Sequence, residues 1–131
     1  MNPPNSLPSP VSKQLILIID DEAPVRMTLQ RSMTMMGSAF TVADSGEIAL
    51  KILEELMPDL IFLDVGMPGT DGLATLGKLH EKYQHLKVIM LADQKEIPKA
   101  TMALNLGAGD FITKPVDLPS VKRMLQIHLP K

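Results

Sequence analysis

The stretch PDLIFLDVGMPGTDG, residues 58–72, decides how the rest of the chain is read. Its run Leu60–Leu63 is continuously apolar and rich in strand formers, the pattern of a parallel strand buried on both faces. Asp64 closes that run, which puts a carboxylate at a strand's carboxyl end. Open parallel sheets bind ligands beyond the carboxyl ends of their strands, so the residues just past each strand are where chemistry is to be sought.

Two more runs of the same kind lie outward from it. Leu15–Ile19 (LILII) precedes it and Val88–Leu91 (VIML) follows it. Phe40–Ala43 and Asp110–Thr113 are weaker strand candidates, which periodicity alone does not settle. Helical patterns fill the gaps. Pro24 to Met36 carries Val25, Leu29, Met33 and Met36 on one face, with Pro24 suited to a first turn and Gly37 to a stop. Ser45 caps a second pattern that lines up Ile48, Ile52 and Leu56, and Pro58 ends it. Leu73, Leu76 and Leu79 mark a third helix. Pro98 to Leu106, stopped by Gly107, marks a fourth, and Leu118 to Leu129, bearing Val121, Leu125 and Leu129, a fifth. Five alternating strand–helix units predict an α/β fold, a parallel five-stranded sheet wound on both faces by helices.

Composition narrows the function. The 131 residues suit one domain. Cysteine is absent, which excludes disulfide scaffolds, thiolate zinc sites and cysteine nucleophiles. A net charge of −2 builds no basic footprint, so direct nucleic-acid binding is not expected. No apolar run reaches the length of a membrane span, and the N-terminus lacks the pattern of a secretory signal, so a cytoplasmic protein is expected. Residues 1–12 hold four prolines and no charged residue, and read as a disordered tail ahead of a folded domain over 13–131.

Polar residues gather at three strand ends. Asp20, Asp21 and Glu22 follow the first strand, Asp64 ends the third, and Lys114 and Pro115 follow the fifth. Taken singly, each has a plain structural reading: a helix cap, a turn residue, an uninformative dipeptide. Their order and spacing carry the weight, because adjacent strands would bring three aspartates and a lysine to one crevice. Crowded carboxylates repel unless a cation intervenes. A hard divalent ion such as Mg²⁺ takes oxygen ligands and commonly uses one or two carboxylates with phosphate oxygens. A carboxylate there can act as a nucleophile and form an aspartyl phosphate, opposite a lysine that neutralises phosphoryl oxygens.

The segments LILIIDDE (15–22), PDLIFLDVGMPGTDG (58–72), KVIML (87–91) and LGAGDFITKPVD (106–117) closely resemble the receiver domain of bacterial two-component response regulators, of the chemotaxis-regulator kind. The resemblance runs from about Gln14 to Leu129, and the strand–aspartate–Met-Pro-Gly-x-Asp-Gly element is its most specific part. It implies the flavodoxin-like strand order 2-1-3-4-5. It implies Asp64 as phosphoacceptor, Asp21 as a direct Mg²⁺ ligand, Asp20 as a ligand acting mostly through water, and the backbone carbonyl of Gly66 as a further protein oxygen. Mn²⁺ is the substitute ion. Lys114 matches the lysine that contacts the phosphoryl group, and Pro115 the position usually held cis. The implied donor is a histidine kinase or histidine phosphotransfer protein. The implied role is regulatory, with at most self-catalysed phosphotransfer and autodephosphorylation. Its output would run through the face of the fourth helix, fifth strand and fifth helix to an attached domain or partner, with a homodimer through those helices as an unsupported option.

The sequence also departs from the family pattern. The position that usually carries a switch Thr or Ser is Ala92, and no hydroxyl residue lies between Leu86 and Asp93. A hydrogen bond to a charged group contributes roughly 1.5–3 kcal/mol, so one contact that distinguishes the two states is missing. Phe111 keeps the aromatic switch position but has no hydroxyl. Gly66 stands where a side chain is common, and with Gln94 flanks the expected approach of water. Ala92 therefore favours an alternative, a degenerate receiver acting as a phosphorylation-independent interaction module. Retention of Asp20, Asp21, Asp64 and Lys114 argues against it. A phosphohydrolase with an aspartate nucleophile is disfavoured, because such enzymes place two aspartates separated by one residue after the first strand. His80, His85 and His128 show no metal spacing.

Overall fold

A computed structural model of the protein describes residues 14–67 and 71–129, so the expected tail at 1–12 lies outside the described residues. Five strands, β1 (Leu15–Ile19), β2 (Ala39–Ala43), β3 (Leu60–Asp64), β4 (Val88–Ala92) and β5 (Asp110–Thr113), alternate with five helices. These are α1 (Ala23–Met36), α2 (Gly46–Leu53), α3 (Gly72–Lys82), α4 (Ile97–Asn105) and α5 (Leu118–His128). A 3-10 turn, Gln94–Glu96, leads into α4. All strand pairings are parallel and the order is β2-β1-β3-β4-β5.

The sheet is covered on both sides, which explains why the central strands read as unbroken apolar runs. Ile16 and Ile18 of β1 and Leu60 and Phe62 of β3 pack with Leu29 and Met33 of α1 and Val121 and Leu125 of α5. Leu17, Ile19, Ile61 and Leu63 point the other way, toward Ala49 and Leu53 of α2, Leu76 and Leu79 of α3, and Ala100 and Ala103 of α4. The edge strand β2 buries only Ala43 fully, and its Phe40 is exposed. That half-solvated edge is why its sequence signal is weak.

The second helix differs from the sequence expectation. Ile48 and Leu56 are exposed, while Ala49 and Leu53 are buried. The helix also ends at Leu53, before Leu56. The bulkiest stripe at helical spacing is Ile48, Ile52 and Leu56. The sheet instead takes the small Ala49, which lets α2 sit close, and Ile52 packs only at the margin of the core. Past Leu53 the chain must turn back, and the Asp59 amide bonds Leu15 O at 2.7 Å as β3 begins.

The start of α2 is as the sequence indicates. Ser45 Oγ accepts the Ile48 amide at 3.2 Å. Ser45→Ala removes this cap and is expected to cost about 1 kcal/mol. Urea titration should show a lower midpoint with an unchanged slope.

Candidate functional site

β1 and β3 are neighbours, with Ile19 opposite Leu63. The next residue on each strand is an aspartate, so Asp20 and Asp64 emerge side by side at the carboxyl edge. Asp20 is fully buried and Asp64 nearly so. Lys114 follows β5 across the sheet, and its amide donates to Ala92 O at 2.8 Å at the end of β4. From there its side chain reaches back over β4, and Nζ donates to Asp64 Oδ1 at 3.1 Å and to Glu22 Oε1. The Lys114–Pro115 peptide bond is cis.

The loop after β1 is folded by short local bonds. Asp20 Oδ1 accepts the Glu22 amide at 2.8 Å, and Arg26 Nη1 donates to Asp20 O at 3.2 Å. Asp64 Oδ1 accepts the Gly66 amide at 3.0 Å. Carboxyl oxygens of Asp20, Asp21 and Asp64 all lie within 4.8 Å of one another. Asp20 Oδ2 and Asp21 Oδ1 are buried without a hydrogen-bond partner.

Charge is unbalanced here. The carboxylates of Asp20, Asp21 and Asp64 crowd together, and among the described residues the Lys114 ammonium pairs with Glu22 and Asp64 alone. Burial pushes the Asp20 carboxyl up to about 7, with the charges of Asp64 and Glu22 adding to it and the Glu22 amide and Lys114 opposing. Burial disfavours the charge on Lys114. Hydrogen bonds to Glu22 and Asp64 and the charges of Asp64 and Asp20 outweigh it and hold the ammonium well above its ordinary value. Crowding like charges in a buried edge is a poor way to stabilise a fold. Such clusters are found where chemistry needs them.

Chemically, the arrangement offers a buried carboxylate able to act as a nucleophile, a cation touching it, and neighbouring carboxylates with unpaired oxygens. A family model described as the response regulator receiver domain matches residues 16–126. This chain belongs to that family. The receiver domain is 39% identical over 115 residues to the protein-glutamate methylesterase/protein-glutamine glutaminase of Trichodesmium erythraeum (strain IMS101), covering 85% of this chain and 33% of that protein. It is 35% identical over 101 residues to the DNA-binding transcriptional regulator NtrC of Klebsiella pneumoniae, covering 77% of this chain and 22% of that one. The chain thus spans between about a fifth and a third of these curated relatives. Among solved structures, the receiver domain of NtrX from Brucella abortus superposes with a TM-score of 0.84 at 30% identity, covering 87% of this chain and 97% of that one. Strand order and parallel pairing agree with the flavodoxin-like arrangement of such domains.

Within this receiver domain the fold brings Asp20, Asp21, Asp64 and Lys114 into one cluster. Gly66 enters it through its amide. Ala92 is fully buried at the end of β4, opposite Thr113. Phe111 is partly buried against the core on the same side as α4. The histidines make other contacts: His80 ring nitrogens lie 3.3 Å from Leu106 O and 3.1 Å from Leu86 O, and His128 Nε2 lies 3.3 Å from Asp110 Oδ2.

Sequence reasoning gave no role to two side chains that the fold places here. Glu22 is the second partner of Lys114, 92 residues away in the chain. Glu96 packs directly over Gly66. Neither contact has a sequence signal, because each depends on where a loop from another strand end is set down.

Proposed function

We propose that this receiver domain accepts a phosphoryl group on Asp64 from a histidine kinase or histidine phosphotransfer protein in the cytoplasm. The observation that carries the reading is the buried Asp64 carboxylate held between the Gly66 amide and the Lys114 ammonium, beside unpaired oxygens of Asp20 and Asp21. An Asp64 oxygen attacks phosphorus. The bond from phosphorus to the donor's leaving atom breaks, and the donor departs with that electron pair. Lys114 Nζ neutralises charge on the transferred group, and the Gly66 amide orients the attacking carboxyl.

The donor set suits Mg²⁺, a hard ion that takes carboxylate oxygens and keeps waters. Asp20, Asp21 and Asp64, with the Gly66 carbonyl, would hold it, Asp21 directly and Asp20 mostly through water. When bound, the ion supplies charge neutralisation to phosphoryl oxygens. The orphaned oxygens of Asp20 and Asp21 support this assignment, since a buried carboxylate oxygen left unpaired is costly.

The output is read from α4, β5 and α5 by an attached domain or a partner protein, as the multidomain size of the relatives suggests. Among the described residues no helix is long and apolar enough to cross a membrane. Ala92 favours a second reading, a receiver fold that binds a partner without being phosphorylated.

Intact mass after incubation with acetyl phosphate separates the two. The phosphoacceptor reading expects a Mg²⁺-dependent gain of one phosphoryl group. No gain from acetyl phosphate, and none from a histidine kinase or phosphotransfer protein, favours the binding module.

A further inference from the structure

Glu96 sits in the 3-10 turn that joins β4 to α4, four residues beyond Ala92. Its carboxylate has two engagements. Oε1 accepts the Asp93 amide at 3.0 Å, while the Glu96 amide donates to Asp93 Oδ1 at 3.1 Å, a reciprocal capping box that closes the turn. Oε2 fills the space that a side chain at residue 66 would need. A Cβ built on Gly66 would stand 1.7 Å from Oε2 and 2.8 Å from Cδ. Only glycine admits the carboxylate there. The amide of the same Gly66 donates to Asp64 Oδ1 at 3.0 Å. One carboxylate therefore rests the β4–α4 turn on the residue that touches Asp64.

Charge makes this contact sensitive to the state of Asp64. Among the described residues Glu96 has no ion-pair partner, and Lys114 is engaged by Glu22 and Asp64. A phosphoryl group adds negative charge and bulk beside Gly66. A hydroxyl at residue 92 would be drawn toward that group, but Ala92 has none to offer. A carboxylate over Gly66 is driven the other way. Both give the differential interaction that a switch requires.

We propose that Glu96 reads the phosphorylation state of Asp64: the negative charge that a phosphoryl group adds at Asp64 expels the Glu96 carboxylate from the Gly66 niche, opens the capping box with Asp93, and frees the start of α4. This rests on Asp64 being the phosphoacceptor and adds how that site is regulated. Gly66 and Glu96 then form a pair, the glycine leaving the space that the carboxylate fills.

Backbone amide spectra of the ¹⁵N-labelled chain test it, with beryllofluoride plus Mg²⁺ as the phosphoryl analogue, Mg²⁺ alone as the control, and acetyl phosphate uptake by mass run in parallel. In the wild type, resonances of Asp93 to Ile97 shift with beryllofluoride and not with Mg²⁺ alone. Glu96→Gln keeps the shape and the capping acceptor but not the charge, and loses that shift while still taking up phosphoryl. Gly66→Ala evicts the carboxylate, moving the same resonances without any analogue, toward their positions in the beryllofluoride-treated wild type. Phosphoryl uptake with residues 93–97 unmoved, a full shift retained in Glu96→Gln, a shift with Mg²⁺ alone, or no movement in Gly66→Ala each overturns the latch and leaves the receiver reading standing. No uptake from acetyl phosphate or from a kinase or phosphotransfer donor, with no response to beryllofluoride, overturns both.

Discussion

Asp64→Asn leaves the protein unable to take up a phosphoryl group, a loss of at least about a thousandfold relative to the wild type. The substitution is nearly isosteric. The retained amide oxygen still accepts from the Gly66 amide and from Lys114 Nζ, so the strand end keeps its geometry. What disappears is the anionic oxygen that forms the new bond to phosphorus. The amide oxygen is a weak nucleophile, and the amide nitrogen has its lone pair delocalised into the carbonyl. Stability should not suffer, because the variant removes one of the carboxylates crowded around a single ammonium. Intact mass after acetyl phosphate and Mg²⁺ checks uptake, and a thermal melt checks folding. A folded variant that still gains a phosphoryl group would place the acceptor elsewhere.

Asp20→Asn is expected to stabilise the metal-free protein near neutral pH and to abolish much of its response to Mg²⁺. Asp20 is fully buried, and burial lifts its carboxyl from an ordinary 3.8 to about 7 in the folded chain. Between those two values the folded protein holds a proton that the unfolded chain has released. Stability contributed by this group therefore falls as pH rises across that window, and it is fully present only below the unfolded value. Asparagine does not titrate, so it avoids that loss. The difference in favour of the variant should be negligible near pH 4 and grow steadily as pH rises to about 7. Thermal melts in chelator from pH 4 to 8 measure it. Adding Mg²⁺ should reverse the order, since ligand binding to the folded state stabilises the wild type and the variant has lost a carboxylate ligand. Parallel pH profiles for the two proteins would refute the account of the crowded site.

How much of this was legible in the sequence depends on how local each cause is. β1, β3 and β4 are buried on both faces, so their positions are apolar up to Asp64 at the end of β3 and the run declares itself. Asp64 and the Asp20–Asp21 pair stand out because they interrupt those runs at the edge where the strands stop. Ser45 is a cap that acts within three residues, its Oγ accepting the Ile48 amide at 3.2 Å. The inward face of α2 was not legible, because Ile48 is larger and more apolar than Ala49 and only the closeness of the sheet makes the smaller residue the buried one.

By itself the sequence determined the alternation of strands and helices, the carboxylates at two strand ends and the lysine after a third, since each follows from residue type and nearby spacing; that a hydroxyl is missing at Ala92 follows from the resemblance to receiver domains. The tertiary structure alone decided which groups meet. Strand order sets Asp20 beside Asp64, and parallel crossovers return distant loops to one edge of the sheet. That is how Lys114 comes to hold Glu22 as well as Asp64, and how Glu96 comes to lie in the space left by Gly66. Contacts of that kind are fixed by packing across the sheet and leave no period or motif along the chain.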